Sequence, residues 1–244
     1  MVARLPATTA WVTAVLGRLR GVKPIPAGAA ILEVGAAAGE TAIALAQLGY
    51  RVCGVEPWGD ARRNADRLAS QLRISIEIAN GRAEALPFDA ESFDIVLAFS
   101  VMEHVTDIDL AFAEAFRVLR PGGVFWFSAA SSMSPFQNEI ARFSLFGWYP
   151  DVVKRRIMVW ARRSRPHLIG HTETPAVHWF TPWKANRLLR RHGFVEVYDR
   201  WDLRRLDEGG AGYRMGLSII RSSRLSKLIA DVVVPACSYA ALKR

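Results

Sequence analysis

Cysteine is nearly absent from this chain: only Cys53 and Cys237 occur among 244 residues, far apart and outside any CxxC pair. That scarcity excludes a disulfide-stapled fold and predicts two buried free thiols in a reducing compartment, Cys53 inside an apolar, strand-like run. Histidine is scarce too, five residues in all. His167, His171 and His178 lack the spacing and the acidic company of a metal site, so no metal is expected. No apolar run is long enough to span a bilayer. The N-terminal stretch places Val12, Val15, Leu16 and Leu19 at helical spacing, with Arg18 and Arg20 closing the last turn. It reads as an amphipathic helix rather than a secretory signal, which sets the cytoplasm as the expected location. There is no internal repeat and no low-complexity tract. Acidic residues are the last shortage: 23 Asp and Glu against 32 Lys and Arg leave a formal charge of +9. The excess is uneven. Residues 151–170 hold Lys154, Arg155, Arg156, Arg162, Arg163 and Arg165 against Asp151 alone, and the tail adds Arg221, Arg224, Lys227, Lys243 and Arg244. Such a balance suits an anionic substrate, a membrane surface or nucleic acid, and equally a plain solvated face.

Hydrophobic residues make up 51% of the chain, enough for a large core in one domain with an elaboration or two. Strand and helix signals alternate from residue 31 to about residue 130. Ile31–Val34 and Arg51–Val55 are short strands, and Thr41–Leu48 and residues 60–72 are helical. Ile74–Ile78 alternates with period two, while Phe93–Phe99 and Val124–Ala129 read as buried strands. Asp107–Arg120 is an amphipathic helix with Leu110, Phe112, Phe116, Val118 and Leu119 on its apolar face, stopped by Pro121-Gly122-Gly123. This βαβα rhythm implies a parallel sheet with helices on both faces.

The rhythm breaks over 131–178, a stretch rich in aromatic and basic residues. It is too apolar for a bare loop and is expected to be a helical insertion over the carboxyl ends of the strands. Thr181-Pro182 then opens a helix, with Trp183, Leu188 and Leu189 on its buried face. Phe194–Trp201 is the next strand, an amphipathic helix is expected near 221–233, and Cys237–Leu242 fits a final edge strand. The boundaries are then 1–29 for an N-terminal helical cap, 30–130 for the core, 131–178 for the insertion and 179–244 for the last helix and strands.

The run "ILEVGAAAGE", Ile31 to Glu40, is a strand followed by a small-residue loop. A dinucleotide fingerprint needs Gly-x-Gly-x-x-Gly. Counted from Gly35, Ala37 and Glu40 occupy the second and third glycine positions, and Glu40 would set a carboxylate beside a phosphate anion. A pyrophosphate ligand is therefore disfavoured. The methyl of Ala37 is tolerable if its φ is negative.

With the spacing Gly35-x-Ala37-x-Gly39, the chain resembles the class I S-adenosylmethionine-dependent methyltransferases. The segments "GRAEALPFDAESFDIV" (Gly81–Val96), "FSVMEHV" (Phe99–Val105) and "RVLRPGG" carry the resemblance well over about 30–130, and "HWFTPWKANRLLRRHGF" carries it weakly beyond. The resemblance implies a three-layer, doubly wound, mostly parallel seven-stranded α/β sheet and S-adenosylmethionine as cofactor, with S-adenosylhomocysteine as product. It implies that Gly35, Ala36, Ala37 and Gly39 form the cofactor loop. Glu33 would face the methionyl ammonium, although it could also partner the dipole of the next helix. Glu56 would accept the ribose hydroxyls, although it could also cap a helix. Pro57 or Trp58 would cover the adenine face, and Ser100 would line the methionyl pocket. Arg82 stands where the family has an acid that reads adenine. A guanidinium cannot accept a hydrogen bond, so that contact falls to the backbone at Ala83 or to Glu84.

His104 sits just past the fourth strand and its pKa range suits a general base; an ordering role for the loop competes. Tyr149 and His171 in the insertion are further base candidates, each also readable as a packing residue. The expected reaction is methyl transfer, to an oxygen of a small or amphiphilic acceptor such as a lipid-linked sugar, a polyketide or quinone-like molecule, or a carboxylate. The basic segments 154–165 and the C-terminal run would suit contact with an anionic membrane at its inner face. RNA or protein methylation, a degenerate cofactor-binding member and NAD-dependent redox chemistry are the competing classes. Nucleic acid is disfavoured because no Asn/Asp-Pro-Pro-Tyr-like tetrapeptide follows the fourth strand.

Overall fold

The strand signals assemble into one seven-stranded sheet in the computed structural model, which describes residues 2–137, 139–169 and 174–244. Helix α1 (Leu5–Arg20) precedes β1 (Ala30–Val34), α2 (Glu40–Gln47), β2 (Arg51–Val55), α3 (Gly59–Leu72), β3 (Glu77–Ala79), β4 (Phe93–Phe99), α4 (Ile108–Val118) and β5 (Leu119–Ala130). These five strands are parallel in the order β3-β2-β1-β4-β5. The order reverses between β1 and β4, and ligands of such sheets bind beyond the carboxyl ends at that switch point. The chain then runs through α5 (Asp151–Ser164), α6 (Pro182–Arg191), β6 (Phe194–Asp199), α7 (Arg200–Leu203), α8 (Ala211–Arg221), α9 (Arg224–Val232) and β7 (Ala236–Lys243).

Alternation along the strands divides the core. Leu32, Val96, Phe125 and Phe127 meet Phe112 and Ala115 of α4 and Leu188 and Leu189 of α6. Ile31, Ile95, Leu97, Val124 and Trp126 meet Val12, Val15, Leu16 and Leu19 of α1. The insertion after β5 has a small core of its own, in which Phe146, Met158, Ala161 and Trp179 are buried together. No described helix is long and apolar enough to cross a membrane.

Several sequence expectations are corrected. The last strand is not an edge. β7 lies between β5 and β6, antiparallel to both, with Val124 opposite Leu242 and Phe194 opposite Lys243. Its small buried residues Ala240 and Ala241 fit a strand covered on both faces, whereas β6 carries Glu196 and Asp199 and forms the edge. β6 also ends at Asp199, whose side chain caps α7, so Trp201 is helical. Leu110 and Trp183 are exposed. Each lies two residues before a buried position (Phe112 and Ala185), about 200° around a helix and thus on the opposite face. The Ile74–Ile78 strand shrinks to Glu77–Ala79. Arg73 takes a left-handed conformation and Ile74 N–H bonds back to Ala69 O, which folds Ile74 into the end of α3. The helix expected near 221–233 is α9, and a further helix, α8, precedes it across a break at Ser222-Ser223. Both thiols are free, but Cys53 is only half-buried.

Candidate functional site

The loop after β1 is built by backbone. Gly35 N–H and Ala36 N–H both donate to Val55 O, at 2.8 and 3.1 Å, and Gly39 N–H donates to Ala36 O at 2.8 Å. Gly35 and Gly39 each have φ of 75°. A Cβ on Gly35 would lie 2.4 Å from Val101 Cγ2, and one on Gly39 would lie 2.8 Å from Ala65 Cβ. Ala37 reverses the expectation of a negative φ: its φ is 46°. The strain is held by Glu56, whose Oε2 accepts from Ala37 N–H at 2.9 Å while Oε1 accepts from Trp58 N–H at 3.1 Å. An L-residue pays about 1–2 kcal/mol in this region, less the entropy glycine loses on folding. Ala37→Gly should therefore stabilise the fold by about 0.5–1 kcal/mol, read as a higher urea midpoint at unchanged slope; a lower midpoint would refute the strain.

Beyond the loop opens a cleft of about 600 Å³ at the carboxyl ends of β1, β2 and β4. Of the residues singled out by sequence, Gly35, Ala37, Glu56, Pro57, Trp58, Arg82, Ala83, Glu84, Ser100 and His104 line it. Glu33, Ala36 and Gly39 do not. Glu33 lies buried behind the loop, with hydrogen bonds to the Thr41 side chain and the Ala42 backbone and with Oε2 unpartnered among the described residues. Burial raises its pKa to about 8, so the group is held neutral at pH 7. The titratable side chains on the cleft wall are Glu56, Asp60, Glu84, Arg82 and His104, three carboxylates against one guanidinium. Glu84 Oε1 accepts from Thr106 N–H at 2.7 Å and so ties the β4–α4 loop to the cleft wall. Arg82 is exposed.

His104 enters from the loop after β4, its own N–H bonded to Val101 O at 2.8 Å. Desolvation lowers its pKa, partly offset by backbone hydrogen bonding with Pro175 and Thr174, and Nδ1 is buried without a partner among the described residues. A neutral imidazole with a free ring nitrogen can accept a proton. Tyr149 is not in this cleft. It lines a second groove of about 560 Å³ formed by the insertion and α6, where Trp148, Trp179 and Trp183 meet Lys154 and Lys184. The two sets of lining residues do not overlap. His171 lies outside the described residues. His178 is buried, and burial together with the charges of Lys184 and Arg155 lowers its pKa.

Sequence reasoning missed Phe99, Val101, Asp60 and Thr174, which also line the cleft. Asp60 could have been found, since an acid in the first turn of a helix that follows the second strand faces the same mouth. Thr174 could not, because only the tertiary return of the insertion brings it there.

Residues 32–127 match the family model described as "Methyltransferase domain". Among curated proteins, a ubiquinone biosynthesis O-methyltransferase of a Chelativorans species is 36% identical over 107 residues, 44% of this chain and 42% of that protein. Its counterpart in a Methylobacterium species is 30% identical over 132 residues, 53% of each chain. The match thus spans about half the length of these relatives. Among solved structures, the YcgJ protein of Bacillus subtilis superposes with a TM-score of 0.59 at 17% identity, covering 94% of this chain and 98% of that one. A phosphoethanolamine N-methyltransferase of Haemonchus contortus, solved with S-adenosyl-L-methionine, superposes at 0.60 and 17% identity, covering 94% of this chain and 52% of that one. At those identities the likeness establishes fold. The segment from Leu32 to Phe127 is therefore similar to a methyltransferase domain, and the sheet around it has the fold of these solved structures.

Proposed function

We propose that this chain is an S-adenosylmethionine-dependent methyltransferase acting on an oxygen of a small or amphiphilic, quinone-like acceptor. The observation that carries the cofactor is the charge of the cleft: Glu56, Asp60 and Glu84 against Arg82, with Gly35 too close to Val101 to bear a side chain. A negative wall repels a pyrophosphate and favours a sulfonium. The donor set fits that cofactor. Each Glu56 oxygen keeps a lone pair beyond its bond to backbone, enough to accept two ribose hydroxyls. The open backbone at Gly35 and Ala37 admits the amino-acid tail, and Trp58, partly exposed at the rim, offers a face to the base. When bound, S-adenosylmethionine supplies an electrophilic methyl group.

The chain's own part is to align the acceptor, exclude water and take a proton. Half-buried, neutral His104 is the acceptor of that proton at the cleft wall. The insertion meets the cleft at Thr174 and is the element that would cover an acceptor bound there. The relatives named for ubiquinone biosynthesis support an oxygen on a quinone-like ring over nitrogen or nucleic acid.

The test is calorimetry of S-adenosylhomocysteine, with NADH in parallel, on the wild type and on Glu56→Gln. Micromolar binding of the first ligand, none of the second and about tenfold weaker binding to the variant are expected, one charged acceptor being lost. Absence of S-adenosylhomocysteine binding at millimolar concentration would remove the proposal. Transfer of labelled methyl to catechol tests the oxygen.

A further inference from the structure

The helical pair α8–α9 is docked on its inner side and bare on its outer side. Inside, Leu217 is buried, Trp201 Nε1 donates to Asp231 Oδ1 at 2.7 Å, and Lys227 Nζ bridges Asp199 and Asp202 at 2.9 and 2.5 Å. Arg221 Nε donates to Trp201 O at 2.8 Å. Outside, Met215 and Ile219 stand one turn apart on α8, and Leu225, Ile229 and Val233 follow the same spacing along α9. All five are between 60% and 70% exposed. Side chains of this size, exposed together on consecutive helices, mark an interaction surface rather than the scattered apolar exposure of any globular protein.

The charge around them says what covers it. Among the exposed residues from 211 to 233 the charged ones are Arg214 and Arg224, and the rest are apolar, glycine or serine. The one acid of the pair, Asp231, is turned inward to Trp201. Large aliphatic side chains whose exposed charged neighbours within the pair are cations suit a helix lying in a membrane interface, the carboxylates of the adjoining turn, Asp207 and Glu208, being paired with Arg205 and Arg18. A second copy fits worse, because the pair itself exposes cations and no carboxylate to meet the cations of its copy.

We infer that α8–α9 is a peripheral membrane anchor that inserts Met215, Ile219, Leu225, Ile229 and Val233 among acyl chains and sets Arg214 and Arg224 on anionic headgroups. The inference does not depend on the proposed activity. It takes Arg224 from the C-terminal basic run, adds the aliphatic face of both helices, and does not use the basic stretch 154–165.

The experiment is co-sedimentation of the full chain with vesicles of equal phosphatidylglycerol and phosphatidylcholine, and with phosphatidylcholine alone. Binding to the anionic vesicles is expected, at least tenfold weaker on the neutral ones and weakened by salt. Ile219→Ser with Ile229→Ser should cut binding at least tenfold while leaving the circular dichroism spectrum and the thermal midpoint unchanged, since both side chains are exposed. Arg214→Glu with Arg224→Glu should abolish the preference for anionic lipid. No binding to anionic vesicles, or equal binding by the serine variant, overturns the inference. So does a wild-type dimer in light scattering that the serine variant converts to monomer, which would make the face a subunit interface.

Discussion

Gly35→Ala is expected to destabilise the fold by about 2–5 kcal/mol and to abolish binding of S-adenosylhomocysteine. Two costs add. The residue sits at φ 75°, where an L-side chain costs about 1–2 kcal/mol. Its new Cβ would also lie 2.4 Å from Val101 Cγ2, and overpacking of that kind costs about 1–3 kcal/mol. Val101 cannot simply withdraw. It opens the turn that ends in His104, whose N–H is bonded to Val101 O, and Ser100 beside it is already held at φ 53° with its N–H bonded to Ser128 O. Relief therefore moves the β4 loop, and with it Ser100, Val101 and His104 on the cleft wall. A double variant, Gly35→Ala with Val101→Ala, removes the clash but not the backbone strain, so it should recover about half of the lost stability in urea titrations. Equal stability of Gly35→Ala and wild type would show that the loop is not held as described.

The parts of this site that were legible in the sequence are those fixed locally. The strand–small loop–helix run at Ile31–Glu40, the acid Glu56 at the end of the second strand and the loop at Phe99–Val105 each carry their own spacing, and all reach one mouth because parallel strands end on one side of a sheet. What was illegible depends on chain return or on backbone angle. The left-handed φ of Ala37 cannot be read from an alanine; it follows from Glu56 reaching across to the Ala37 N–H, a contact between residues 19 apart. The interior place of β7 is set by pairing with β5 across more than a hundred residues, and its alanines carry no long side chain to announce burial. Tyr149 was drawn toward the chemistry by composition alone, and the packing of Phe146 against Trp179 places its stretch on the groove beside α6 instead. Period-based reading also failed where two apolar residues two positions apart, Leu110 and Phe112, were put on one helix face.

Raising the pH from 6.5 to 8 should lower the unfolding free energy of the wild type by roughly 3 kcal/mol, and Glu33→Gln should remove about half of that loss. Glu33 and Glu103 are both buried with pKa values raised to about 8, in each case by desolvation first. Glu103 is pushed further by Glu139, and hydrogen bonds from Thr41 and Ala42 pull Glu33 part of the way back. The sign follows from proton counts. A carboxyl with a folded pKa above its unfolded value keeps its proton in the native state while the unfolded chain releases it, so its cost is absent below the unfolded pKa near 4.5. The cost then grows to a plateau above about 8. Other shifted groups, among them the raised Asp231 and the lowered Lys154 and Lys184, are common to wild type and Glu33→Gln, so the difference between the two proteins isolates Glu33. The lowered pKa values of Asp94, Glu114 and Glu208 add stability that is complete above their unfolded values in the acid range. His104 and His178, both lowered, add stability as pH rises toward 6.5 and little beyond it. The raised Cys53 and Cys237 thiols act only at alkaline pH. In Glu33→Gln the amide oxygen can keep the Thr41 and Ala42 bonds, so the variant should match the wild type near pH 5 and exceed it by about 2–4 kcal/mol at pH 8. Urea titrations of both proteins across this range read the slopes directly. A variant whose stability falls as steeply as the wild type would mean that Glu33 is ionised in the native state.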